Sequence, residues 1–223
     1  MTLADLARAR RSVRGFRPDP VPLDVVQDLI TTARMAPSGA NLQPGRFIAL
    51  TGAPLAGLVA ALEAAIDADR PLVSEYRWFP NPMPPEMKDR QRAAGYALYA
   101  ALSIDKRDME GRRAQFRRNY RFFDAPVGIV VTLDRRFGEG GFFDLGMAVQ
   151  TLQLAAVDAG LATCGLGALA NYADVVQDHL NLPASDLVIC GMALGLEDRD
   201  HPANATRTVR MQLSDFADFR GFD

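Results

Sequence analysis

The chain has 223 residues, 48% hydrophobic and 23% charged, which is ordinary for a globular protein of one domain spanning 1–223 with no visible linker. Lys and Arg total 25 against 27 Asp and Glu, so the chain lacks the global basic field that attracts nucleic acid. Two cysteines give no disulfide framework, two histidines far from them make no metal-ligand cluster, and no run approaches the roughly 20 apolar residues that span a bilayer.

The first residues, Met1-Thr2-Leu3-Ala4-Asp5, do not read as a signal peptide, and a soluble, cytoplasmic protein is expected. Residues 3–9 read as a short helix, followed by an arginine-rich segment. Prolines 18, 20 and 22 break the chain, with Pro22 suited to the first turn of a new helix. Val25, Val26, Leu29, Ile30 and Ala33 recur at helical spacing and predict an amphipathic helix over 22–35, stopped by Pro37 and Gly39. A short strand is expected at 46–51 and an Ala/Leu-rich helix at 53–69. The stretch 70–85 is proline-rich yet carries Tyr76, Trp78 and Phe79, and reads as an irregular lid or partner-contact segment.

Helices are expected at 86–103 and 105–121, and a buried strand at 127–133. The helix at 142–159 is apolar on most faces, as suits the centre of a core or a dimer. A further helix at 171–180 and a second buried strand at 187–194 follow. Beyond Gly195 the chain turns polar and is expected to run extended. Few strands among many helices predict an α+β fold with a central sheet covered by helices.

Two segments carry chemistry. Arg10-Arg11-Ser12-Val13-Arg14 packs three guanidinium groups and a hydroxyl into five residues. Arginine offers a rigid bidentate fork to a phosphate, although a solvated basic turn fits the same residues. Pro37-Ser38-Gly39-Ala40-Asn41-Leu42-Gln43-Pro44 follows an amphipathic helix. Its amides suit the edge of a heterocycle and Gly39 admits close approach; a capped helix-to-strand loop fits it equally well.

Together these segments resemble the two N-terminal signatures of the FMN-dependent nitroreductase family, Arg-x-Ser-x-(Arg/Lys) followed by Pro-Ser-x-x-Asn-x-Gln-Pro-Trp. The chain departs at the last position, where Gly45 stands for Trp. Two later matches agree: Gly160-Leu161-Ala162-Thr163-Cys164-Gly165-Leu166-Gly167-Ala168, and Asn204-Ala205-Thr206-Arg207. Subgroup markers such as Arg121-Phe122-Phe123-Asp124-Ala125-Pro126 and Cys190-Gly191-Met192-Ala193-Leu194-Gly195 look most similar to reductases of nitrobenzene and nitrobenzoate type.

The resemblance implies a nitroreductase-like fold with a mostly antiparallel sheet, an extended C-terminal tail and a domain-entwined homodimer. It implies FMN held by Arg10, Arg11, Ser12, Arg14 and Arg207 at the phosphate. Pro37, Ser38, Gly39 and Asn41 would read the pyrimidine edge, serving the partner subunit's flavin. Gly165, Leu166 and Gly167 would pass beside flavin N5. NADH or NADPH would be the electron donor and a small nitroaromatic the acceptor, in a ping-pong cycle that yields nitroso and hydroxylamine products. The flavin carries the chemistry, so no catalytic side chain is required. The same resemblance leaves room for an enone, quinone or halogenated aromatic as acceptor, or for an FMN-binding protein without turnover.

Three features read as structural. Gly165-x-Gly167-x-x-Ala170 lacks the buried strand and following acidic residue of a dinucleotide fingerprint. The run from Lys106 to Arg121 reads as a solvated helix face beside Asp105, Asp108 and Glu110. Trp78, Phe79, Phe122 and Phe123 read as core or interface ahead of substrate cage.

Overall fold

The computed structural model describes residues 1–73 and 75–222; Ser74, inside the expected lid segment, and Asp223 lie outside the described residues. Four strands form a sheet in the order β1-β2-β4-β3, with β1 Gly45–Thr51, β2 Val127–Asp134, β3 Ala162–Leu166 and β4 Asp186–Gly195. Each neighbouring pair is antiparallel, as expected for this α+β fold. Ser12 adds a parallel bridge to Thr163 at the outer edge of β3. The central strands β2 and β4 are buried along almost their whole length, which explains their unbroken apolar runs.

Helices cover both faces. On one side, Leu58 and Leu62 of α3 (Gly52–Asp67) pack with Phe122, Phe123, Leu169 and Val176. On the other, Val26 and Leu29 of α2 meet Leu145 and Leu152 of α6 over Ile129, Leu133 and Met192. Here α2 spans Leu23–Ala33 and α6 spans Glu139–Asp158. Pro22 is the residue before α2, in extended conformation, and not its first turn.

Helix α1 (Leu3–Ala9) begins on a reciprocal cap: the Thr2 hydroxyl accepts from the Asp5 amide at 3.2 Å, and the Asp5 carboxylate accepts from the Thr2 amide at 3.1 Å. Its end delivers Arg10 as the first non-helical residue. Helix α4 runs Pro85–Ala101 and buries no residue.

The structure corrects two further expectations. The helix expected over 105–121 is confined to α5, Met109–Arg117, because the Asp108 side chain caps it by accepting from the Gly111 amide at 2.8 Å. After it, Phe122 and Phe123 adopt left-handed backbone angles, φ 50° and 52°, and both rings are fully buried. Helix α6, read from sequence as central to a core or a dimer, buries the stripe Gly141, Leu145, Leu152 and Ala156 within this chain and leaves Phe143 71% exposed. The tail is not extended throughout: Pro202–Ala205 forms a 3-10 turn and Leu213–Phe216 a single helical turn, α8. The His201 ring nitrogen starts the former by accepting from the Ala203 amide at 3.2 Å. Helix α7, Ala173–Leu180, completes the set and ends on Asn181 in left-handed conformation.

Both thiols lie in the interior. Burial pushes Cys190 up to about 12 and raises Cys164 as well, against the opposing pull of Arg14, a Ser12 hydrogen bond and Arg10. The thiolate is the reactive form, so the folded protein at pH 8 should give no rapid colour with Ellman's reagent and two equivalents after unfolding. A fast equivalent from folded protein would contradict this burial.

Candidate functional site

The arginine segment is laid down by main-chain pairing. Val13 donates its amide to Thr163 O at 3.0 Å, and Arg17 donates to Leu196 O at 2.9 Å. Between them, Gly15 presses against His201 so closely that an added Cβ would stand 2.2 Å from the ring. Asn204, 4% exposed, staples the two chain regions together. Its side-chain oxygen accepts from the Arg14 amide at 2.7 Å, and its amide nitrogen donates to Gly15 O at 2.8 Å and Asp198 O at 2.7 Å.

That staple brings residues 10–14 against 206–210. Arg10, Ser12, Arg14, Arg207 and Arg210 line one cavity of about 400 Å³. Among the described residues, none of these four guanidinium groups has a carboxylate partner. Arg14 donates to Ser12 O at 3.2 Å, Arg207 to Asn204 O at 2.7 Å and Arg210 to the Thr208 hydroxyl at 2.8 Å. Burial, and then the charge of Arg210, presses the Arg10 pKa down from its ordinary value. Four uncompensated cations around one hollow are relieved by an anion, and a terminal phosphate supplies about two charges and three acceptor oxygens. The donor set therefore fits a phosphate.

Arg11 stands apart. Its guanidinium pairs with Glu197, and it also lines a neighbouring cavity with Arg17 and Asp198. Its charge is already compensated, unlike those of Arg10 and Arg14.

The 36–44 loop lies elsewhere. Pro37, Ser38 and Gln43 face Asp144 and Leu145 of α6 across a cavity of about 270 Å³ that shares no residue with the arginine hollow. The loop is self-bonded: Gln43 donates its amide to the Ser38 hydroxyl at 2.9 Å and its side chain to Asn41 O at 3.0 Å, while Asp144 accepts from the Gly39 amide at 3.0 Å. The left-handed residues here are Ala40, Asn41 and Gln43, with φ of 49°, 57° and 50°. Gly39 is not one of them, and a Cβ on it would meet only Asp144 Oδ2, at 3.7 Å. Nothing within this chain requires glycine there.

Gly165 is an exposed residue of β3, Leu166 is buried in the core, and Gly167 opens a 3-10 turn, Gly167–Asn171. The paper match to a dinucleotide fingerprint fails in space, because β3 is an antiparallel edge strand leading into that turn.

Residues 7–196 match the family described as "Nitroreductase family". This chain belongs to the nitroreductase family. It is 38% identical over 216 residues to the chloronitrobenzene nitroreductase of Comamonas testosteroni, covering 96% of this chain and 95% of that protein. It is 35% identical over 215 residues to the 4-nitrobenzoate reductase of Pseudomonas putida, covering 96% and 94%. The fold superimposes with a TM-score of 0.96 on the crystal structure of the FMN- and NADPH-dependent nitroreductase NfnB from Sphigopyxis sp. strain HMH, at 34% identity and full coverage of both chains.

Within this nitroreductase fold, the departure at Gly45 has a local compensation. A Cβ at Gly45 would stand 2.5 Å from Leu145 Cδ1, so Leu145 of α6 occupies the space a larger side chain would need. Three arginines of the basic run from 106 to 121 find carboxylate partners, Arg117 on another helix and Arg118 and Arg121 nearby. Arg117 bonds Glu63 at 2.8 Å and Asp67 at 2.7 Å on α3, while Arg118 and Arg121 share Asp124. Lys106 and Arg112 rest over Tyr96 and Tyr99. Phe122 and Phe123 belong to the core, as expected.

Sequence reasoning missed Arg210 and gave Asn204 no role. Arg210 lies in a polar tail with no periodic signal. Only its position against Arg10 marks it.

Among the described residues, no group of His, Cys, Asp and Glu is arranged to hold a metal, and no helix is long and apolar enough to cross a membrane.

Proposed function

We propose that this protein is a homodimeric, cytoplasmic, FMN-dependent NAD(P)H oxidoreductase that reduces nitroaromatic compounds. The observation that carries the reading is the hollow lined by Arg10, Ser12, Arg14, Arg207 and Arg210, whose four guanidinium groups have no carboxylate partner among the described residues. The near-full-length likeness to reductases named for chloronitrobenzene and 4-nitrobenzoate supports the substrate class.

In this reading the arginines and Ser12 hold the FMN phosphate by charge-assisted hydrogen bonds. Bound FMN supplies two-electron transfer from NAD(P)H to the nitro group. The acceptor takes two electrons and two protons to give the nitroso compound and water, then two more of each to give the hydroxylamine. NAD(P)⁺ leaves before the acceptor enters, so one pocket serves both. The exposed backbone at Gly165 leaves room there for a flat ring.

The separation of the 36–44 loop from the arginine hollow fits a shared site: Pro37, Ser38, Gly39 and Asn41 serve the partner's flavin. Further support comes from apolar groups that this chain leaves uncovered, including Phe143 on α6 and Val209, Leu213, Phe216 and Phe219 in the tail, each at least 63% exposed.

The test is a visible spectrum of the purified protein, then anaerobic NADH or NADPH, then 4-nitrobenzoate. Flavin peaks that bleach and return with loss of the nitroarene are expected. Flavin that bleaches but is not reoxidised by any nitroarene would point to an enone, quinone or halogenated acceptor. Flavin that binds without bleaching would indicate a non-catalytic FMN protein. A protein that takes up no FMN would sink the reading.

A further inference from the structure

We propose that Trp78 forms a wall of the acceptor site and stacks on the electron-poor ring of the nitroaromatic substrate. This inference rests on the function proposed above, and specifically on Gly165–Gly167 flanking the reacting edge of the flavin. The sequence reading favoured a core or interface place for Trp78; within this chain it is not core, being 50% exposed. Its indole lies directly on Gly167: an added Cβ there would stand 3.0, 3.1 and 3.3 Å from Cζ2, Cε2 and Cδ2. Glycine at 167 is what lets the ring approach. Two residues earlier, Gly165 is open to solvent on the same short strand-to-turn passage.

The segment that carries Trp78 is anchored at its root and free at its tip. The Val73 amide donates to Asn171 O at 2.8 Å. The Tyr76 hydroxyl donates to the carbonyl of Ile189 on β4, and its ring packs on Phe142 with centroids 5.2 Å apart. Trp78 continues this aromatic row, 5.9 Å from Tyr76, and Phe79 follows at 6.5 Å. A fixed root with a half-exposed ring against Gly167 gives a positioned aromatic face.

The chemistry selects the partner ring. Nitro groups withdraw density and leave the ring face positive, whereas the indole face is negative, so the two attract in an offset stack. The dihydronicotinamide of NAD(P)H is electron-rich and gains less from the same wall. Trp78 therefore favours the acceptor over the donor within a shared pocket.

Trp78 is the only tryptophan of the chain, so its emission is a direct probe. The FMN-loaded, full-length protein is titrated with 4-nitrobenzoate without NAD(P)H, so that no turnover occurs. Saturable quenching of indole emission is expected, against the linear quenching of free N-acetyltryptophanamide. In steady-state assays, Trp78→Ala should raise KM for 4-nitrobenzoate roughly tenfold and KM for NAD(P)H less than threefold, with Trp78→Phe recovering most of the loss. Linear quenching, or equal changes in the two KM values in a variant that still retains FMN, would overturn the role of Trp78 alone. A wild-type protein that neither retains FMN nor is bleached by NAD(P)H would overturn the proposed function and this role with it.

Discussion

Replacing Arg14 by alanine is expected to weaken FMN binding roughly 30-fold, a loss of about 2 kcal/mol, the worth of a hydrogen bond to a charged group. Arg14 is held in place from three sides. Its amide donates to Asn204, its guanidinium donates to Ser12 O, and the cation rests 5.9 Å from the centroid of the Phe123 ring. No carboxylate competes for it among the described residues, so in the proposed complex its charge is available to the phosphate. Arg14→Lys keeps the charge but loses the fork, and should fall between wild type and alanine. Arg207→Ala, at the opposite wall of the hollow, should weaken retention in the same direction. The affinities come from fluorescence titration of apoprotein with FMN, with melting curves as a control for folding. An unchanged Kd in a variant that melts normally would remove that residue from the phosphate site.

Asn204→Ala should lower stability by about 3 kcal/mol, which for a chain of this size is a drop in Tm of roughly 6–12 °C. The side chain is buried and satisfies three main-chain groups at once, the Arg14 N–H and the Gly15 and Asp198 carbonyls. Truncation leaves the Arg14 N–H without its acceptor and takes one donor each from Gly15 O and Asp198 O, which keep the amides of Asp198 and His201 at 3.0 and 3.3 Å; the unpaired N–H carries most of the cost. Because the staple joins the 10–14 segment to the 204–210 segment, FMN affinity should fall in the same variant. Asn204→Asp keeps an acceptor for Arg14 but sets a carboxylate against two carbonyls, so it should not rescue. A Tm within about one degree of wild type would show that the joint is held by other contacts, such as Val13 on Thr163.

Much of the frame was legible in the sequence because its signals are local. Helix α1 was expected over 3–9 and spans Leu3–Ala9; the strands at 127–133 and 187–194 were expected and span Val127–Asp134 and Asp186–Gly195. Apolar periodicity and unbroken apolar runs determine these elements within a few residues of chain. The four motif matches also sufficed to indicate the family. What the sequence did not reveal depends on partners distant along the chain. Arg11 resembles Arg10 and Arg14 by composition, yet Glu197 takes its charge. Arg117 of the basic run finds Glu63 and Asp67 on α3, where a solvated helix face beside Asp105, Asp108 and Glu110 was expected. Arg210 meets Arg10 where Asn204 and neighbouring main-chain bonds tie two distant segments together, and Trp78 meets Gly167 on a segment tied down at Val73 and Tyr76. Local propensity and pattern specify the elements; the neutralisation of a charge, or the glycine that admits a ring, is set by whichever side chain the folded chain brings within a few ångströms.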